Sequence, residues 1–407
     1  MFITIQRNTR VRGTVNNLPS SKSISNRALL LTALSGNQSV VSNLSAARDT
    51  RLMQSLINSP DKLIDVMDAG TTMRFLTAYF ALTGKNKILT GTDRMKQRPI
   101  ALLVNALRSL GATIAYLDKE GFAPIETKGF AGQKAISVSL PGNVSSQYIS
   151  ALMMTAPLLP QGLTIRIEGP IGSLPYIEMT LALMKTFGVA CDFSGHFIHI
   201  PPTPYHSSNL TVEADWSAAS YWFAFAALAE DAELRLPHVS RQSLQGDRVT
   251  VDVMERLGVK AVFQDDAVIL SKGASEMFIE WDFKDCPDLA QTVLPVCAAK
   301  GVRGLFTGME SLRIKETDRI AALQTELSKI GAELTEEKTG QWKLTPAKRM
   351  EFVSIATYHD HRMAMGFAPW ATLTKLRVEE PDVVDKSYPG FWEDMRAVGF
   401  DVQEGNQ

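Results

Sequence analysis

Five times along the chain, at intervals of roughly 70 residues, a helix-like stretch closes on an apolar residue and a glycine and then becomes strand-like. The copies centre on Leu110-Gly111, Phe187-Gly188, Leu257-Gly258, Ile330-Gly331 and Val398-Gly399. Glycine there suits the left-handed residue that ends many helices. So long a period means that each unit holds several elements. A sixth copy is due near residues 51–57, but the pattern breaks at Asn58-Ser59-Pro60-Asp61. One unit is therefore expected to be abbreviated, near residues 52–67. Six α/β units fit two domains of three, and 407 residues are too many for one ordinary domain. Residues 18–21 and 212–215 are the candidate crossing points.

With 45% apolar and 21% charged residues, the chain reads as globular, able to bury a core without disulfides or metals. A formal net charge of −1 argues against a nucleic-acid partner. Anions must then be met by local clusters of basic residues. Cys191, Cys286 and Cys297 stand apart, as expected in a reducing cytoplasm. The start, Met1-Phe2-Ile3-Thr4-Ile5, alternates like a strand rather than a signal peptide. The apolar runs are too short to cross a bilayer. No G-x-x-x-x-G-K-[ST] and no G-x-G-x-x-G occurs, which argues against ATP and dinucleotides. No cofactor is expected.

Several helix starts combine small residues with a cation, as anion sites do. They are Ser20-Ser21-Lys22-Ser23 with Arg27, Ala69-Gly70-Thr71-Thr72 with Arg74, and Asn143-Val144-Ser145-Ser146-Gln147. Taken alone, the first reads more readily as an ordinary Ser-capped helix with solvated Lys and Arg. In Arg313-Ile314-Lys315-Glu316-Thr317-Asp318-Arg319, the spacing puts Lys315 and Arg319 on one helical face, with Glu316 and Asp318 pointing elsewhere. Pro99 reads as the first residue of a helix. Asp285-Cys286-Pro287-Asp288 leads another helix with two carboxylates. Asp360-His361-Arg362 opens an apolar helix, and His359 and His361 are too few to hold zinc. Lys386-Ser387-Tyr388-Pro389 reads as a turn.

Taken together, these segments resemble the 5-enolpyruvylshikimate-3-phosphate synthases (3-phosphoshikimate 1-carboxyvinyltransferases). Arg94-Met95-Lys96-Gln97-Arg98-Pro99, Pro175-Tyr176-Ile177 and the stretches above occur in that family's order across nearly the whole chain. The resemblance implies an inside-out α/β barrel of two domains, each with three βαβαββ-type repeats. The domains would be residues 1–18 with 216–407, and residues 19–215, with the substrate cleft between them. It implies a monomer whose only partners are shikimate 3-phosphate and phosphoenolpyruvate. Lys22, Ser23, Arg27, Ser145, Ser146, Gln147, Ser173, Tyr176, Asp288, Ser311 and Lys315 would hold the first substrate. Lys22, Gly70, Arg98, Gln147, Arg319, Arg362 and Lys386 would surround the second. Asp288 would take the proton from the 5-hydroxyl, Glu316 would protonate the methylene carbon, and Lys22 would assist.

Asp68 and His359 stand where the family usually has Asn, and Ser311 where many members have an Asn that touches the sugar phosphate. A Ser hydroxyl has a shorter reach, so phosphoshikimate affinity is expected to be weaker. Gly70 is expected to leave room beside phosphoenolpyruvate, which predicts glyphosate sensitivity. The sister transferase acting on UDP-N-acetylglucosamine is the nearest alternative. It carries a loop cysteine before Arg-Pro, and residues 93–97 here have none. A silent phosphosugar-binding paralogue is the other, and the intact charged set argues against it.

Overall fold

The computed structural model describes residues 1–346 and 352–405. The chain forms two compact units. One comprises Met1–Ser21, Ala46–Arg48 and Glu213–Gln407, and the other Lys22–Ser45 and Asp49–Val212.

The first unit has three four-stranded sheets of one pattern, a parallel pair followed by two antiparallel strands. In one, Arg10–Thr14 lies parallel to Asp231–Pro237, followed by Ala267–Ser275 and Leu257–Gln264. In the next, Phe278–Asp282 lies parallel to Arg303–Thr307, followed by Gln341–Thr345 and Glu333–Lys338. In the last, Val353–Ile355 lies parallel to Leu376–Glu379, followed by Phe2–Ile5 and Val402–Gly405. The N-terminal strand thus completes a sheet begun near the other end of the chain.

The second unit repeats the pattern twice. Leu63–Asp65 and Lys87–Thr90 precede Ile125–Phe130 and Ala112–Tyr116. Ser137–Pro141 and Leu163–Glu168 precede Phe197–Ile200 and Asp192–Ser194. Its third sheet is only the parallel pair of Asn209–Thr211 and Val40–Ser42. After the helix Arg48–Leu56 the chain enters Leu63–Asp65, already the first strand of the next sheet. The broken repeat at Asn58-Ser59-Pro60 is that missing antiparallel pair. The five repeat glycines all have positive φ: 112° at Gly111, 90° at Gly188, 87° at Gly258, 75° at Gly331 and 103° at Gly399. A side chain there would meet the left-handed penalty, which is why the motif needs glycine.

Three helices pack on one another in each unit: Lys22–Leu34, Gly70–Leu82 and Ser146–Thr155 in one, Trp216–Leu228, Ala290–Lys300 and His361–Phe367 in the other. Gly70–Leu82 and Trp216–Leu228 are buried at every position but Thr71 and Ser217. Apolar residues all round a helix fit only such a setting. Ala101–Leu110 instead buries a single stripe, Leu103, Val104, Ala106, Leu107 and Leu110, as an outer helix does. Several of the candidate residues lie at the first turns of these central helices.

Candidate active site

In the second unit, Lys22 and Ser23 open one central helix, Gly70 and Thr71 the next, and Ser146 and Gln147 the third. Lys22 Nζ lies 3.1 Å from Asp49 Oδ2, and Asp49 is buried in the first turn of Arg48–Leu56. Ser145 caps the third helix, its hydroxyl accepting from the Gln147 N–H. The Gln147 amide donates to Thr71 Oγ1 at 3.2 Å, which ties two central helix starts together.

Arg27 is buried in the same unit. Its guanidinium donates to Thr180 Oγ1 at 2.8 Å, Ser150 Oγ at 3.0 Å and the Ser23 carbonyl at 3.0 Å. It lies 5.5 Å from the centroid of the Phe75 ring and 5.9 Å from that of Tyr176. No carboxylate pairs with it among the described residues. Burial pulls its pKa down to about 10, against a small opposing effect of Tyr176. A buried cation held only by neutral acceptors is poised for an anion from solution. Ser173 precedes Leu174–Thr186 at φ 54°, an uncommon conformation for serine, and its side chain makes no capping bond.

Arg98 is buried against Gly70. A Cβ on Gly70 would lie 2.7 Å from Arg98 Nη1 and 2.8 Å from Nη2. The room expected beside Gly70 is therefore occupied by the Arg98 guanidinium, so a methyl group would first displace that cation. Arg74 braces this corner, donating to the Gly70 carbonyl at 3.2 Å and the Pro99 carbonyl at 3.0 Å. Pro99 lies outside the helix: Ile100 caps Ala101–Leu110, so Pro99 is not at its first helical position.

In the first unit, Asp288 lies on the turn Pro287–Leu289, leading into Ala290–Lys300. Arg319 Nη1 reaches Asp288 Oδ1 at 2.8 Å, Lys315 Nζ the same oxygen at 3.4 Å, and Arg362 Nη2 its Oδ2 at 3.1 Å. Burial pushes the Asp288 carboxyl up, but Arg362, Lys315 and Arg319 outweigh it and hold it well below the usual carboxylate range. Arg319 is buried and shared among three carboxylates. Its Nε lies 2.7 Å from Asp360 Oδ2 and its Nη2 2.9 Å from Glu316 Oε2, besides the Asp288 contact. Burial lowers its pKa, but Asp360, Glu316 and Asp288 win, so its charge is locked in. Lys386 Nζ, also buried, sits 3.6 Å from Glu316 Oε1.

The Lys315–Arg319 segment differs from its expected geometry. The helix is Arg319–Ser328, and Asp318 caps it by accepting from the Ala321 N–H at 3.1 Å. Lys315 lies before the helix, so the two cations meet through Asp288 and share no helical face. Glu316 turns back onto Arg319 instead of pointing away. Ser311, on the turn Glu310–Ile314, has no hydrogen bond to this cluster among the described residues. His359 pairs with Glu380 at 3.2 Å, while His361 is buried. No metal-binding group occurs among the described residues.

Sequence reasoning missed two pairings that complete these clusters, Asp49 with Lys22 and Asp360 with Arg319. Asp360 caps His361–Phe367, accepting from the Arg362 N–H at 2.9 Å, while its carboxylate also holds Arg319. An Asp just before a helical Arg is a readable cap, but its second partner lies 41 residues away.

Cations at helix starts, three of which hold the Asp288 carboxyl ionised, fit an enzyme acting on small polyanionic substrates. Comparison with known sequences narrows the class. The chain belongs to the EPSP synthase (3-phosphoshikimate 1-carboxyvinyltransferase) family, whose model matches residues 5–59 and 54–395. It is 46% identical over 406 residues to the 3-phosphoshikimate 1-carboxyvinyltransferase of Bacteroides fragilis, covering 98% of each chain. It is 38% identical over 427 residues to that of Shigella flexneri, covering 97% of this chain and 98% of the relative. Two structures of EPSP synthase from Acinetobacter baumannii share the fold. Their TM-scores are 0.76 and 0.77, at 19% and 18% identity, covering 99% and 100% of this chain.

Proposed function

We infer that this chain transfers the enolpyruvyl group of phosphoenolpyruvate to the 5-hydroxyl of shikimate 3-phosphate, releasing phosphate by addition and elimination. The observation that carries this is 46% identity along 98% of the chain to a relative bearing that name. Residues of both units are proposed to serve this one reaction. Each unit is proposed to close as an inside-out barrel of three repeats. The enzyme is proposed to act as a cytoplasmic monomer.

The proposed division of labour follows the charges. Arg27, a buried cation with neutral partners, takes the shikimate carboxylate, with Ser23, Gln147 and Tyr176 around the ring. Ser145, Ser146, Ser173 and Lys315 take its phosphate, with Ser311 at the edge. Lys22, Gly70, Arg98, Gln147, Arg319, Arg362 and Lys386 surround phosphoenolpyruvate.

Asp288 takes the proton of the 5-hydroxyl. With no substrate bound it is ionised but a feeble base, because three cations hold it. Anionic substrates compete for those cations, so its proton affinity rises when it is needed. Glu316 delivers a proton to C3 as the 5-oxygen bonds to C2, and the tetrahedral intermediate then loses phosphate as a C3 proton is removed, which restores the double bond. Fixed cations stabilise the charge that develops on the way.

Phosphate release tests the reaction directly. It should require shikimate 3-phosphate and be absent with UDP-N-acetylglucosamine. Folded protein that releases phosphate only with the nucleotide sugar would establish the sister activity instead. A second prediction concerns Gly70. Gly70→Ala should push Arg98 aside and raise the phosphoenolpyruvate KM roughly tenfold, the loss of about one charge-assisted hydrogen bond. Inhibition by glyphosate, competitive with phosphoenolpyruvate in the wild type, should weaken at least as much. Unchanged kinetics for both ligands would mean that Arg98 does not bind phosphoenolpyruvate.

A further inference from the structure

We propose that Asp247, acting through Ser217, is a positioning residue that orients Arg362 toward phosphoenolpyruvate. The proposal rests on the reading above, in which Arg362 meets that substrate.

Asp247 lies on the turn Gly246–Val249 and is buried. Ser217 is the second residue of Trp216–Leu228, one of the three central helices of its unit. Its hydroxyl donates to Asp247 Oδ2. A serine hydroxyl has one proton and two lone pairs. With the proton committed to Asp247, the lone pairs are left for Arg362, whose Nη2 donates to Ser217 Oγ at 3.3 Å. The same Nη2 reaches Asp288 Oδ2 at 3.1 Å, and Nη1 donates to Tyr221 OH at 3.3 Å.

These acceptors do not have equal fates. Asp288 is wanted for proton chemistry, and an anionic substrate competes with it for the guanidinium. Ser217 and Tyr221 are the neutral acceptors that remain. Without Asp247 the Ser217 hydroxyl is free to turn, and some of its orientations aim the proton at Arg362.

The burial of Asp247 also argues for a role beyond packing. Among the described residues its Oδ1 has no hydrogen-bond partner, and Ser217 is the one side chain that bonds the carboxylate. Burial, with help from Asp288, pushes its pKa up to about 6, against the pull of Arg362. A neutral residue would fill the space without that penalty. What an uncharged filler would lack is a strong acceptor that fixes the direction of the Ser217 proton.

The test is steady-state kinetics, varying each substrate in turn, for the wild type, Asp247→Ala, Asp247→Asn, Ser217→Ala and the Asp247→Ala/Ser217→Ala double variant. Asp247→Ala and Ser217→Ala should each raise the phosphoenolpyruvate KM roughly tenfold, about one hydrogen bond to a charged group. The shikimate 3-phosphate KM should stay within about twofold. The double variant should be no worse than Ser217→Ala, because one path carries both effects. Asp247→Asn should fall between, since its amide oxygen accepts the same proton. Effects that multiply in the double variant, or two Michaelis constants that rise together, would overturn the proposal. Wild-type turnover in the same assay tests the underlying reading separately. A crystal structure of Asp247→Ala needs no turnover: the Arg362 guanidinium should leave Ser217, and an unmoved head group would refute the mechanism. If Asp247→Ala does not fold, Ser217→Ala and Asp247→Asn carry the same comparison.

Discussion

Glu316→Gln should lower kcat by roughly 10²- to 10⁴-fold, the range for removing a general acid, with both Michaelis constants little changed. Glutamine keeps the shape and an oxygen that can still accept from Arg319 Nη2, now at 2.9 Å from Glu316 Oε2. What it loses is the proton to deliver. A second readout separates this loss from distortion. Addition and elimination place a solvent-derived proton on C3 of phosphoenolpyruvate and remove one again. In heavy water the wild type should therefore put deuterium into the methylene group, and the variant should not. Wild-type kcat with full deuterium uptake in Glu316→Gln would assign the proton to another group. Asp288 is the first such candidate, because it shares Arg319 with Glu316.

The helix starts were legible in the sequence for a local reason. Ser145 before Gln147 and Asp360 before Arg362 are capping patterns, and a cap acts within three residues. The repeat was legible because each copy needs a left-handed glycine, and the missing copy marks the one sheet reduced to two strands. The Lys315–Arg319 geometry was misread because four-residue spacing implies a shared face only inside a helix. Asp318 is the better signal: as a capping residue it starts the helix at Arg319 and leaves Lys315 outside. The pairings Arg319–Asp360, Lys22–Asp49 and Ser217–Asp247 were not legible. Their partners lie 27 to 41 residues apart, and only the packing of a central helix start against a neighbouring element brings them together. The occupied space beside Gly70 is of the same kind, since it depends on where the Arg98 side chain lies.

Arg319→Met should destabilise the first unit by about 3–5 kcal/mol, because it leaves buried carboxylates without their cation. Arg319 is fully buried and contacts Asp360, Asp288 and Glu316, and Asp360 is itself buried. Thermal unfolding at neutral pH should show the loss as a shift on the order of 10 °C. Its pH dependence has a definite sign. The folded pKa of Asp288 is depressed, so its contribution is fully present above the unfolded value of about 3.9 and is lost as pH falls below it. The gap between wild type and Arg319→Met should accordingly be full at pH 7 and narrow below about pH 4, where protonated carboxyls no longer need a cation. Arg319→Lys should recover only part of the loss, since one ammonium lacks the planar fork that reaches three carboxylates at once. Equal unfolding temperatures for wild type and Arg319→Met at pH 7 would mean that the three carboxylates are satisfied without it, by Lys315, Lys386 and Arg362.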